Sequence, residues 1–207
     1  QLGRASVESL KRRFGINGEK LVMMGRGVDE SPVIPPEDED EVKSVGHSMT
    51  LERDVTGRDA LAKYVLQLAE MVGRRARRYR VTGKTVHLTI RYGDFTTAGK
   101  QQTRSAPTNN SEEIYRDAMA ILGTFDLSQP VRLVGVRITN LTHNADQLPL
   151  FEKERKAALL AAAMDEANDR FGEFAVTFGS VLETEEKGSH VISPAWRPDG
   201  IRRVDVK

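Results

Sequence analysis

Apolar and polar side chains alternate in several stretches of this chain, and between them apolar positions recur at helical spacing. Val45, His47, Met49 and Leu51 alternate with Ser44, Gly46, Ser48 and Thr50, which predicts a half-buried strand. Thr56-Gly57-Arg58-Asp59 reads as a helix start capped by Thr56, and Leu61, Tyr64, Val65, Leu68 and Val72 then share one face. Val86, Leu88, Ile90 and Tyr92 alternate with Thr85, His87, Thr89 and Arg91, giving a second strand. A third is expected over Gln101 to Ala106. Asn110-Ser111-Glu112-Glu113 caps a second helix with Ile114, Ala118, Ile121, Leu122 and Phe125 inward. Val131 to Thr139 forms the fourth strand, covered at Val134, Val136 and Ile138. The order β-α-β-β-α-β is a ferredoxin-like α+β arrangement: a four-stranded antiparallel sheet with two helices on one face.

The opposite sheet face is expected to stay free. It would show Ser44, Gly46, Ser48, Thr85, Thr89, Arg91, Leu133, Gly135, Arg137 and Thr139. Small hydroxyls and glycines allow close approach, with cations at the edges, which suits the phosphates of a polyanion better than an apolar ligand.

Small helical segments flank this domain. In residues 1–35 a helix begins at Ser6-Val7-Glu8-Ser9, Gly15-Ile16-Asn17-Gly18 breaks it, and another starts at Glu19. Helix, glycine hairpin, helix is a shape whose backbone N–H groups can hold a phosphate. Prolines 32, 35 and 36 and the run Glu37-Asp38-Glu39-Asp40-Glu41 mark a linker over 36–42, and the domain itself covers 43–142. Residues 143–151 form a connecting segment, and 152–207 a tail with an alanine-rich helix over Lys153 to Arg170 and an irregular end from Ser189. Because the chain opens inside what reads as a helix (Ala5 to Phe14), it is expected to be a fragment of something longer.

Within the connecting segment, Gln147-Leu148-Pro149-Leu150-Phe151 places three apolar side chains between polar and charged flanks. Its proline disfavours helix, so it is predicted to be extended and suited to a partner's pocket.

Charge narrows the possible partners. Lys+Arg 31 against Asp+Glu 30 gives a net charge of +1, so no global field points anywhere. From Met71 to Gly93, however, seven cations (Arg74, Arg75, Arg77, Arg78, Arg80, Lys84 and Arg91) run without an acid, suggesting a surface for phosphates. With no Cys, disulfides and thiolate metal sites are excluded, and a reducing cytoplasm fits. No stretch is apolar over the ~18 residues a membrane span needs. His47, His87, His143 and His190 lack ligand spacing, and no catalytic constellation or Walker loop is present, so no catalytic or metal-binding residue is assigned. RNA-recognition modules of this order stack bases on strand aromatics, whereas here Thr85, His87, Thr89 and Arg91 face outward. An acylphosphatase-like anion loop is also disfavoured, since Leu51-Glu52-Arg53-Asp54 flanks its arginine with acids.

Taken together, several motifs resemble the Y-family translesion DNA polymerases of the bacterial DNA polymerase IV type. Phe14-Gly15-Ile16-Asn17-Gly18-Glu19-Lys20-Leu21 and Gly25-Arg26-Gly27-Val28-Asp29 resemble the end of that family's thumb. Lys43-Ser44-Val45-Gly46-His47, Phe95-Thr96-Thr97, Thr103-Arg104-Ser105 and Val134-Gly135-Val136-Arg137 resemble strands of its little finger. The pentapeptide resembles a sliding-clamp binding motif with anchors Gln147, Leu148, Leu150 and Phe151, and 164–172 resembles a family tail. By this resemblance the little finger would grip primer–template DNA through Ser44, Gly46, Ser48, Thr103, Arg104, Ser105 and Arg137, with Gly15 and Gly18 on a primer-side phosphate. Partners are then DNA and the clamp, the protein a cytoplasmic monomer, and magnesium belongs to the parent polymerase with no cofactor in this stretch. Palm and fingers are missing here, and more than fifty residues follow the pentapeptide. The competing reading is a non-catalytic protein-interaction module of the same fold without nucleic-acid affinity.

Overall fold

Val45, Met49 and Leu51 turn inward from β1 (Ser44–Val55), and β2 (Val81–Tyr92) and β4 (Val131–His143) repeat that inward alternation. The computed structural model describes residues 1–33, 42–143, 151–172 and 174–180. The chain divides into two compact units, Gln1–Glu41 and Val42–Lys207.

In the first unit a 3₁₀ turn, Leu2–Arg4, precedes α1 (Val7–Phe14) and α2 (Ile16–Gly25). Ser6 caps α1, its Oγ accepting from the Ser9 amide at 3.3 Å. Gly15, at φ 60°, turns the chain directly from α1 into α2. The second helix therefore starts at Ile16, not Glu19, and Gly18 lies inside it. There α1 and α2 cross: a Cβ on Gly18 would stand 2.1 Å from the Leu10 carbonyl oxygen.

The second unit adds α3 (Arg58–Arg78), β3 (Thr97–Thr108), α4 (Ser111–Leu122) and α5 (Glu152–Phe171). The expected element order is present. All strand pairings are antiparallel, and the spatial order is β1-β4-β2-β3, so β4 and β2 occupy the middle. Leu88, Ile90, Val136 and Ile138 on those central strands meet Leu61, Val65, Leu68 and Val72 of α3 and Ile114, Ala118 and Leu122 of α4 in one core. Each fully buried Leu or Ile contributes about 1.5–3 kcal/mol relative to exposure. The β2–β3 register breaks between Gly83 and Thr85, where β3 carries the extra residues, and Val81 and Gly83 are buried before Val86 resumes the alternation.

Local signals were accurate in part. Asn110 Oδ1 accepts from the Glu112 and Glu113 amides at 2.9 and 3.2 Å, as its sequence context predicts. Thr56, by contrast, is not the cap of α3: Gly57 holds that position at φ 90° with no side-chain capping bond. Both β3 and β4 also run beyond their predicted ends.

The cation-rich end of α3 is not bare. Arg77 grips Asp165 of α5 through Nε at 2.6 Å and Nη2 at 2.8 Å, and Arg74 holds Asp169 at 2.6 Å. Thr177 Oγ1 donates to Glu70 at 3.0 Å, so successive α3 positions meet tail positions in reverse order. Asn168 closes the turn after α5, donating to the Val176 carbonyl at 2.9 Å and accepting from its amide at 2.8 Å. The irregular end from Ser189 lies outside the described residues.

Candidate nucleic-acid interface

Strand register converts the polar half of each alternation into transverse rows. Ser44, Thr139, Thr85 and Thr103 lie side by side across β1, β4, β2 and β3. Next come Gly46, Arg137, His87 and Gln101, then Ser48, Gly135, Thr89 and Gly99, then Thr50, Leu133, Arg91 and Thr97. The face opposite α3 and α4 is thus a low floor of hydroxyls and glycines with arginines standing in it.

Cross-strand hydrogen bonds hold this floor rigid. Thr85 and Thr103 hydroxyls are 3.1 Å apart, and Asn140 Nδ2 donates to Thr85 Oγ1 at 2.9 Å. Arg91 Nε donates to Thr97 Oγ1 at 2.9 Å. Arg137 Nη2 reaches His87 Nδ1 at 3.5 Å, so the neutral ring carries its proton on Nε2 and donates to Thr139 Oγ1 at 2.8 Å. The glycine at 46 has a packing cause. A Cβ there would approach the Arg137 Cβ to 2.9 Å.

Burial and the Arg137 charge both push the His87 pKa below its ordinary value. The unfolded chain then takes up a proton that the folded chain refuses. Stability from this group is fully present above the unfolded pKa, about 6.5, and falls as pH drops below it toward the folded pKa. His87→Gln is expected to flatten that acid-side loss, read as urea midpoints at neutral and mildly acidic pH. Unchanged pH dependence in the variant would assign the loss to other groups.

The expected contact residues divide. Ser44, Ser48, Thr103, Ser105 and Arg137 are exposed, and Gly46 lies on the floor. Arg104 departs from the expectation, because Thr103 takes the free side of β3 and its neighbour points to the helices. There its guanidinium meets Asp117 at 2.5 Å and Glu113 at 2.9 Å, both on α4. In the first unit the Gly15 amide donates to the Lys11 carbonyl at 2.8 Å and the Gly18 amide to the Gly15 carbonyl at 3.0 Å. Those two amides are thus engaged at the end of α1 and in the first turn of α2. Of the pentapeptide, Gln147, Leu148 and Leu150 lie outside the described residues. Phe151 is the N-terminal cap residue of α5 and is 70% exposed.

Sequence reasoning put His87 on the outward face but passed over Gly99 and Gln101 as floor residues. The β2–β3 turn offered the signal: Asp94 Oδ1 accepts from the Thr96 amide at 2.8 Å, and counting outward from that turn pairs Thr89 with Gly99 and His87 with Gln101. Arg75, one of the cations of the α3 run, lies at the sheet edge; its Nη1 donates to the Gly46 carbonyl at 3.4 Å and sets a cation beside β1. Among the described residues no group of three or more His, Asp or Glu could hold a metal ion. No helix among them is long and apolar enough to cross a membrane.

Residues 42–150 match the impB/mucB/samB family C-terminal domain. The chain is 39% identical over 177 residues to "DNA polymerase IV" of Pelotomaculum thermopropionicum, covering 84% of this chain and 44% of that protein. It is 32% identical over 199 residues to "DNA polymerase IV 2" of Halalkalibacterium halodurans, covering 92% and 48%. It is 37% identical over 175 residues to "DNA polymerase IV 2" of Bacillus subtilis, covering 82% and 42%. The chain thus spans about half the length of the curated relatives it matches. The match lies over the whole four-stranded domain: the resemblance to Y-family polymerases of the DNA polymerase IV type is borne out, and the chain belongs to the impB/mucB/samB family and carries its C-terminal domain.

Proposed function

We propose that the free β-face holds primer–template DNA by its phosphodiester backbones, and that Gln147-Leu148-Pro149-Leu150-Phe151 docks the protein on a sliding clamp. The observation that carries the first part is the row structure: hydroxyls and glycines in register, with Arg137 and Arg91 rising between them. Such a floor lets a backbone approach closely and offers donors to its phosphate oxygens, contacts that carry no base sequence, which suits an enzyme that must accept damaged templates. Ser44, Gly46, Ser48, Thr103, Ser105 and Arg137 are its contacts. The Arg104 side chain instead braces β3 on α4. In the whole protein this grip would serve a DNA-directed DNA polymerase engaged in lesion bypass and DNA repair, a magnesium-using nucleotidyltransferase. A cytoplasmic monomer fits that role.

Titration of labelled primer–template by fluorescence anisotropy tests the grip. Affinity is expected to fall with salt at a log–log slope of about −0.9 per phosphate neutralised, and Arg137→Ala to flatten that slope by about one such step. Affinity indifferent to salt between about 50 and 200 mM would overturn the reading. It would leave the protein-interaction module in its place.

A further inference from the structure

We infer that α5 is a displaceable acidic strap covering a second phosphodiester-binding surface on the outer side of α3. At about 100° per residue, Arg77, Arg74, Arg78 and Arg75 follow one another around that helix. The arc begins under α5 and ends at the β1 edge, where Arg75 touches the Gly46 carbonyl of the candidate DNA floor. A nucleic-acid strand leaving the floor at that edge meets this arc next. The inference extends the phosphate-grip reading and rests on it for the path of the strand.

Two observations mark α5 as an occupant that can leave. Its carboxylates sit on the arginines as phosphate oxygens do: Asp165 spans Nε and Nη2 of Arg77, and Asp169 takes Nη2 of Arg74. The seat is also shallow. Leu159 and Leu160 are 71% and 58% exposed, and Asp169 is mostly in water. Of the two ion pairs, Arg74–Asp169 is largely open to water on its aspartate side and is therefore weak and screened by salt, while the part-buried, bidentate Arg77–Asp165 pair is the firmer anchor. A polyanion offering several phosphates at once therefore competes well with two aspartates.

The test compares duplex binding by the full chain and by Asp165→Asn/Asp169→Asn. The variant is expected to bind several-fold more tightly at low salt, with a log–log slope steeper by about one to two units, as one or two further phosphates are neutralised. Adding Arg74→Gln should cancel part of that steepening; Arg74 is chosen because Arg77 also supports the Asn109 carbonyl near the start of α4. Glu152→Gln/Glu154→Gln removes the same charge from the same helix and leaves the seam intact, so its slope should match the parent's. Hydrogen exchange supplies a second readout, with α5 amides of the unmodified chain losing protection when duplex is added. An unchanged slope in the aspartate variant, or equal steepening in the glutamate control, overturns the inference. If the parent chain shows an Arg137-dependent slope and the aspartate variant adds nothing, the strap alone is wrong. If neither protein binds duplex, the floor reading falls with it.

Discussion

Replacing Leu150 and Phe151 together by alanine is expected to abolish clamp binding while leaving DNA affinity within about twofold. Buried aromatic and aliphatic anchors in a partner's pocket carry about 2 kcal/mol or more each, so losing two lowers affinity by about a thousandfold. Phe151 is 70% exposed, so its own fold gives it little to pack against, and its truncation should cost little stability. It also lies off the register rows that form the floor, which is why duplex binding should persist. Surface-immobilised clamp, titrated with the parent chain and the double variant, provides the measurement. Equal affinity for both would remove the partner-peptide reading and leave the β-face reading untouched.

Gly18→Val should unfold the α1–α2 pair. The added Cβ overlaps the Leu10 carbonyl carbon at 2.3 Å and the Lys11 nitrogen at 2.7 Å; both are backbone atoms, so no rotamer change relieves the clash. The helices must separate. Val22, packed at 0% exposure, then loses its cover in a unit with little other core. Overpacking of this kind costs about 1–3 kcal/mol or more, a large fraction of what so small a unit can have. Amide exchange across 7–25 is the readout, with protection lost there and retained in β2 and β4. Full protection in α1 and α2 would show that the crossing tolerates a side chain. Because the residue is structural, substitutions at Gly18 cannot report on phosphate contact.

How much of this was legible depends on whether a residue's partners are near in sequence or carry a hydrophobic signature. Strands β1, β2 and β4 announce themselves because one face of each is apolar and the other is not. Strand β3 does not: Lys100 and Gln102 occupy its covered side near an edge, so both faces read as polar and its ends were misjudged. Arg104 looked like a free cation beside two hydroxyl residues. Its partners Glu113 and Asp117 become visible only once α4 is folded over the sheet. The stripe on α3 was harder still, since its counter-charges, Asp165 and Asp169, lie far along the chain on another helix. The floor was predictable in kind, because alternation names the residues that share a face. Its rows were not, because they need strand order as well as strand existence.

The sheet order has one more consequence. It leaves β1 and β3 as outer strands, whose unpaired backbone groups could template pairing with another chain. Arg75 caps one of those carbonyls on β1, while β3 carries Lys100 and Pro107 and a register break near Gly83. Charge, a missing donor and an irregular ladder are the devices that keep such borders from zipping together into fibrils. A module that must lie open on one side thus has its flanks guarded against its own copies.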